Sequence, residues 1–293
     1  MSRTKNPRGF SLLEVLAALG LLAGLLSVTY GFFVSQGEAL RSQGRKIVRL
    51  QALRTALETL ARDIRLAGYP ESAGLVRLLR PGWIPAAYLP SRPFQCRPQA
   101  AVTVVSGGGL PDGVVILAVL PGETNPTTLA QSVGAGDFVL PLSLSAGEVN
   151  DQYRPGDLLV IGQPPEYARI TRVTGRELWI DGDPERTGTQ GLVRDHPSGA
   201  AVAEVSVVSY ALFNDQNDPE GNAHAPGLPV LKRKINGGGF EPVAEEIAGL
   251  KIRSAGPGLY EVLLEALPEP GGESGAGRIS RPWQVTTRSG KRN

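Results

Sequence analysis

Glu14 is the residue whose surroundings most need explaining. It is the only charge between Phe10 and Val34, in the run FSLLEVLAALGLLAGLLSVTYGFFV. An acid near the end of a membrane-length helix costs on the order of 2.5 kcal/mol or more unless it is paired or sits at the interface. Acids in such positions are usually functional. The other groups with chemical potential are weaker. Asn214, Asp215, Asn217, Asp218 and Glu220 crowd one loop before Gly221, and the oxygens of Asp215, Asn217 and Glu220 could hold Ca²⁺. Their spacing departs from an EF-hand, and the same residue types make a solvated turn, with His224 exposed beside it. Asp195, His196 and Ser198-Gly199 lie close together, but no nucleophile elbow between a strand and a helix accompanies them. Gly107–Gly109 and Gly237–Gly239 lack a following helix and a lysine-serine pair, so they read as turns rather than phosphate loops.

The tail after Glu273 carries Arg278, Arg281, Arg288, Lys291 and Arg292 with no acid. With Trp283 these residues could contact nucleic-acid phosphates and stack on a base, or they could form a frayed, solvated basic end. Lys+Arg 30 against Asp+Glu 28 gives no general field for nucleic acid, so any basic patch is local. One cysteine, Cys96, excludes an intrachain disulfide, and His196 and His224 alone exclude a histidine-rich metal centre. No catalytic residue, cofactor or metal is expected.

The elements that must position these groups follow from pattern. Phe10 to Val34, as a helix rising about 1.5 Å per residue, would cross a hydrocarbon core of about 30 Å. A short basic leader with Arg3, Lys5 and Arg8 precedes it, and no small-residue cleavage site follows it, so an ordinary secretory signal fits poorly. Arg41, Arg45, Lys46 and Arg49 follow the run, leaving orientation ambiguous by charge alone. Gly20 and Gly24 form a small-xxx-small pair suited to close helix packing. Leu50, Leu53, Leu57, Leu60 and Ile64 then recur at spacings of three and four, predicting a helix along Gln51 to Ala67 with one apolar stripe, stopped at Gly68 before Tyr69-Pro70.

The string Arg8-Gly9-Phe10-Ser11-Leu12-Leu13-Glu14 resembles the type III signal of type IV prepilins and type II secretion pseudopilins. The resemblance implies that a prepilin peptidase cuts between Gly9 and Phe10, that Phe10 becomes the N-methylated first residue, and that Glu14 is the family's assembly acid. The physics agrees, because the new amine of Phe10 would be a cation in an apolar filament core, where a carboxylate from a neighbouring subunit could neutralise it. The segment Leu60-Ala-Arg-Asp-Ile-Arg-Leu-Ala-Gly-Tyr69 is similar to the end of the long helix in PilW-type minor pilins and J-type pseudopilins. Where many major pilins carry a helix-loosening proline, this chain has Gly31.

Some 37 Gly and 24 Pro, roughly a fifth of the chain, favour many short strands joined by turns. Strands are predicted at Val114 to Leu120, Phe138 to Leu142, Leu158 to Gly162, Ala168 to Val173, Glu177 to Ile180, Ala201 to Phe213, Val230 to Ile235, Leu250 to Ile252 and Leu259 to Leu264. Pro70 to Pro98 reads as a surface loop. The expected class is α+β: a leader (1–9), a transmembrane and filament-core helix (10–34), its amphipathic continuation (35–69), and an antiparallel β-sheet domain (70–293). That domain would include an inserted β subdomain at 135–183 and the basic tail at 274–293. The resemblance implies a minor pilin held in the inner membrane, with its domain outside the cytoplasm, built into the pilus at or near its tip to start assembly. Its partners would be the prepilin peptidase, other major and minor pilins and the pilus assembly platform. The alternatives are a J-type pseudopilin of type II secretion, and a tip pilin that binds DNA or a surface.

Overall fold

The computed structural model describes residues 12–68, 78–80, 82–90, 98–107, 110–120, 127–213, 228–256, 259–267 and, as backbone, 283–288. The chain is α+β, with one long N-terminal helix and antiparallel sheets, and it divides into two units, Met1–Gln51 and Ala52–Asn293. Helix α1 spans Leu12–Leu66 without a break at Gly31, so it contributes to both units.

In the first unit α1 carries an 18-residue window of mean hydropathy 2.1, none of it buried, which is long and apolar enough to cross a membrane. Leu12, Leu21 and Val28 are each at least three-quarters exposed. Two hydroxyls in and just after this run turn back on the helix: Thr29 Oγ1 donates to the Leu25 carbonyl (2.8 Å) and Ser35 Oγ to that of Phe32 (3.3 Å). Such back-bonding satisfies these two hydroxyl protons within the helix itself.

In the second unit the helix buries Leu53, Ala56, Leu57, Leu60 and Ile64, the four-three-four spacing that puts them on one face. Leu50, at the head of the predicted stripe, is instead 46% exposed and belongs to the first unit. The helix stops where the sequence predicts. Gly68 takes φ +75°, a conformation that strains any residue with a Cβ, and its N–H donates to the Leu117 carbonyl at 2.9 Å. Ala67 meanwhile bridges Ala118. The helix end is thereby tied to the sheet.

The main sheet runs in the order β1 (Val102–Gly107), β2 (Leu110–Ala118), β8 (Ala201–Phe213), β5 (Leu158–Ile161), β6 (Glu166–Thr174), β7 (Glu177–Asp181), β4 (Val139–Pro141). Three strands lie off this path: β3 (Thr127–Thr128) and β9 (Val230–Ile235) pair with β8, and β10 (Glu241–Glu245) pairs with β9. A second sheet has the order β11 (Ile247–Gly256), β12 (Leu259–Ala266), β13 (Trp283–Arg288). All strand pairs are antiparallel.

Strand β8, rich in valine over 13 residues, organises the domain. Its start pairs with β5 through Val202–Val205, and its remainder pairs with β2 and β9. Alternation along β2 and β8 gives the sheet two buried faces. Val114, Ile116, Val208, Tyr210 and Leu212 meet the helix, together with Ile252 of β11 and Val262 of β12. Val115, Leu117, Val205 and Val207 meet a different layer, made by Leu78, Trp83, Ile84 and Tyr88.

That layer corrects the reading of Pro70 to Pro98 as a surface loop. Its described part includes a 3₁₀ turn at Ala86–Tyr88 and forms a strap over the sheet. Arg169 Nη1 donates to the Gly82 carbonyl (2.7 Å) and Lys234 Nζ to the Ala87 carbonyl (2.8 Å), fastening it. Apolar residues in a segment rich in proline are buried here because the sheet's second face has no helix to cover it.

Residues 127–202 build a third cluster around Leu140, Leu159, Ile170, Leu178, Ile180 and Val202. The block at 135–183 therefore has apolar neighbours of its own, while β5 stays hydrogen-bonded to β8. It also contains helix α2 (Ala146–Gln152), which the strand reading passed over. A capping box starts α2: Ser145 Oγ accepts from Glu148 N–H and the Glu148 carboxylate accepts from Ser145 N–H. Strands β1, β3, β10 and β13 were likewise unmarked, and β13 places Trp283–Arg288 of the basic tail in a strand.

Candidate functional site

A buried ion cluster joins the helix to the sheet inside the second unit. Asp63 of α1 is fully buried, and its Oδ2 accepts from Tyr210 Oη on β8 (2.6 Å) and Arg233 Nε on β9 (2.9 Å). Arg62 Nε approaches Oδ1 at 3.6 Å from the exposed side. Burial, and then the Asp63 charge, push the Tyr210 hydroxyl well above its ordinary range, so it stays a donor. A carboxylate out of water costs several kcal/mol unless it is paired and hydrogen-bonded, and here it is both. This cluster is not legible in the local sequence pattern. Its signal was an aspartate three residues after Leu60 and beside Ile64, on the edge of an otherwise apolar stripe.

His196 lies in the third cluster, buried, with Nε2 3.1 Å from Glu166 Oε2. Glu166 Oε1 accepts the Val193 N–H. Gly162, at φ +65°, makes this possible, because a Cβ there would lie 2.4 Å from His196 Nδ1. The sequence neighbours of His196 are occupied elsewhere: Asp195 Oδ1 accepts from Ala135 N–H (2.7 Å), and Ser198 Oγ donates to the Ala130 carbonyl (3.2 Å). Among the described residues no hydroxyl is recorded in hydrogen-bond contact with the imidazole, and the bonds of Glu166, Asp195 and Ser198 run to loop backbone. Lys232 of β9 is fully buried, with Nζ 5.1 Å from the centre of the Phe213 ring.

The residues singled out in the sequence do not converge. Glu14 lies in the first turn of α1, where an acid favours the positive end of the helix dipole. Gly20 and Gly24 follow in the same helix, and a Cβ at either would meet nothing within 4 Å. Arg288 ends β13 opposite Leu259, and Trp283 stands opposite Leu264, a buried core position. Gly9, Phe10, Cys96, Asp215, Asn217, Glu220, His224, Arg278, Arg281, Lys291 and Arg292 lie outside the described residues. Gly237–Gly239 fall in the β9–β10 turn, as read. Among the described residues no group of three or more His, Cys, Asp or Glu is placed to hold a metal ion.

No family model, no curated protein and no solved structure matches this chain. What it can do therefore has to be argued from its own residues: an unburied apolar helix with one acid near its start, continuous with a helix clamped to a β domain.

Proposed function

We propose that this protein is a minor pilin, processed by prepilin peptidase and incorporated at or near the tip of a type IV pilus to start assembly. The observation that carries the reading is α1. Its apolar first half is unburied over a membrane-length window, its only charge there is Glu14, and its second half is held in the core of the β domain. An exposed apolar surface of this size calls for a bilayer or for other helices. Both would serve in turn, first the inner membrane and then the filament core, with the domain outside the cytoplasm.

The chemistry in this proposal is interfacial. Cleavage after Gly9 leaves the methylated amine of Phe10, and Glu14 of a neighbouring subunit neutralises it and fixes the axial register. Gly20 and Gly24 allow neighbouring helices of other pilins to approach closely. The partners are the peptidase, the other pilins and the assembly platform.

Intact mass and N-terminal sequencing of membrane-extracted protein, from cells with and without the peptidase, test the reading. A chain starting at methyl-Phe10 only when the peptidase is present is the expected result. An unprocessed chain starting at Met1 in both strains would leave a signal-anchored β-domain protein and withdraw the roles of Phe10 and Glu14. Deletion of the gene is expected to abolish piliation. Loss of protein export with piliation intact would assign the chain instead to the J-type pseudopilins.

A further inference from the structure

Past Val34 the sequence turns polar, yet α1 continues and keeps one face apolar. Residues 35–51 hold the cations Arg41, Arg45, Lys46 and Arg49 and the acid Glu38. Through them Phe33, Gly37, Leu40, Gly44 and Ile47 recur at alternating spacings of four and three, a seven-residue repeat that forms a single seam. The same register runs back through Tyr30 and Leu26 into the apolar run. Phe33, Leu40 and Ile47 are each more than half exposed, so no described part of the chain covers the seam.

The two glycines of the seam are unexplained by the fold of the chain itself. Inside a helix, glycine costs about 1 kcal/mol relative to alanine. Neither Gly37 nor Gly44 has the positive φ that would call for it, and a Cβ at either would meet nothing within 4 Å. What they do is leave the backbone bare at two points along the seam, where a second helix can approach closely.

The period identifies the occupant as a helix. A seven-residue repeat stays on one face only when two helices wind round each other with a left-handed supercoil, and neither a bilayer nor a sheet imposes that spacing. The flanking positions say which helix. Gln36, Gln43 and Leu50 border the seam on one side, and Arg41 and Val48 on the other. In a parallel pair of identical helices Gln36 of one copy faces Arg41 of the other, and Gln43 faces Val48, so no like charges meet. By their place in the repeat Arg45, Lys46 and Arg49 stand at its outer positions. Two copies anchored in one membrane by their apolar runs also enter the seam in the parallel direction.

We infer that α1 pairs with α1 of a second copy of this chain along this seam, in parallel and in register, while both copies are in the membrane. The pairing goes beyond the pilin reading and does not require it, since it precedes both processing and entry into a filament.

Disulfide trapping of the full chain, in membranes of cells lacking the prepilin peptidase and with Cys96→Ser as background, tests this. Leu40→Cys and Ile47→Cys are each expected to give, on oxidation, a dimer of twice the chain mass. Their yield is expected to exceed that of the outer positions Ser42→Cys and Arg49→Cys at least about fivefold, because a disulfide cannot bridge Cα atoms more than about 7 Å apart. Adding Ile47→Glu to Leu40→Cys places two carboxylates in the seam and is expected to lower the dimer yield about fivefold. An adduct of any other mass at the seam positions would give the seam to a different protein and overturn pairing with a second copy. Equal yields at seam and outer positions, no dimer at either, or a yield indifferent to Ile47→Glu would overturn the seam itself. With no peptidase present, none of these outcomes depends on cleavage after Gly9, so this inference and the pilin reading fail separately.

Discussion

Burial and hydrogen bonding pull Asp157 in opposite directions, and burial wins. Its Oδ1 accepts from Tyr88 Oη of the strap and its Oδ2 from the Arg154 N–H at 2.6 Å. Desolvation nevertheless raises its pKa above the usual carboxylate value, outweighing those bonds and the Arg154 charge. Glu204 adds to the negative field around the same tyrosine. A folded pKa above the unfolded one means the native state holds the extra proton, so stability rises as pH falls through that window and the gain is lost above the folded pKa. Asp157→Asn removes the titration and shifts stability by a constant, since its amide would face the Arg154 N–H. The stability of the natural chain relative to this variant is therefore expected to grow as pH is lowered from about 7 to about 4 in chemical unfolding. A difference that is flat or shrinks would mean the ionised form is the one the fold prefers.

At the scale of elements, the question is what keeps the end of α1 on the sheet. Burying Leu53, Leu57, Leu60 and Ile64 contributes about 1.5–3 kcal/mol each, as an upper estimate. That attraction has no direction, so apolar contact alone would tolerate a sliding helix. The Asp63 cluster has direction, because Tyr210 and Arg233 come from adjacent strands in register with each other. Arg233→Met leaves the Asp63 charge buried with the tyrosine as its main donor, and is expected to cost about 3–5 kcal/mol of unfolding free energy. The double variant Asp63→Leu with Arg233→Met is expected to be more stable than Arg233→Met alone, because it buries no unpaired charge. Additive losses in such a cycle would show that the pair acts independently.

The whole molecule combines two kinds of surface. In the first unit the apolar side chains are in the open, while in the second unit three clusters are closed by helix, strap and sheet. Since no residue of the membrane-length window is buried, removing it should cost the β domain nothing. A chain beginning at Ser35 is expected to be soluble without detergent and to melt within about 3 °C of the full chain by circular dichroism. A large drop in melting temperature, or aggregation, would show that the domain depends on the apolar half of the helix for its own fold.

The sequence by itself determined the features that local pattern carries. The apolar run, the four-three spacing through Ile64, the stop at Gly68 and most strands, β8 among them, are visible because periodicity and turn chemistry act over a few residues. The α2 capping box was equally local, and was passed over only because strands surround it. Tertiary structure alone decided the rest. Asp63 meets Tyr210 and Arg233 across 147 and 170 residues of chain, Glu166 meets His196 across 30, and Tyr88 meets Asp157 across 69. No window a few residues wide contains such pairs. The strap was misread for the same reason: Trp83 and Tyr88 sit among prolines and glycines, and what buries them is the second face of a sheet whose strands come later in the chain. Local propensity reports what a segment can be; which polar group is paired, and which apolar one is covered, depends on what the fold brings opposite it.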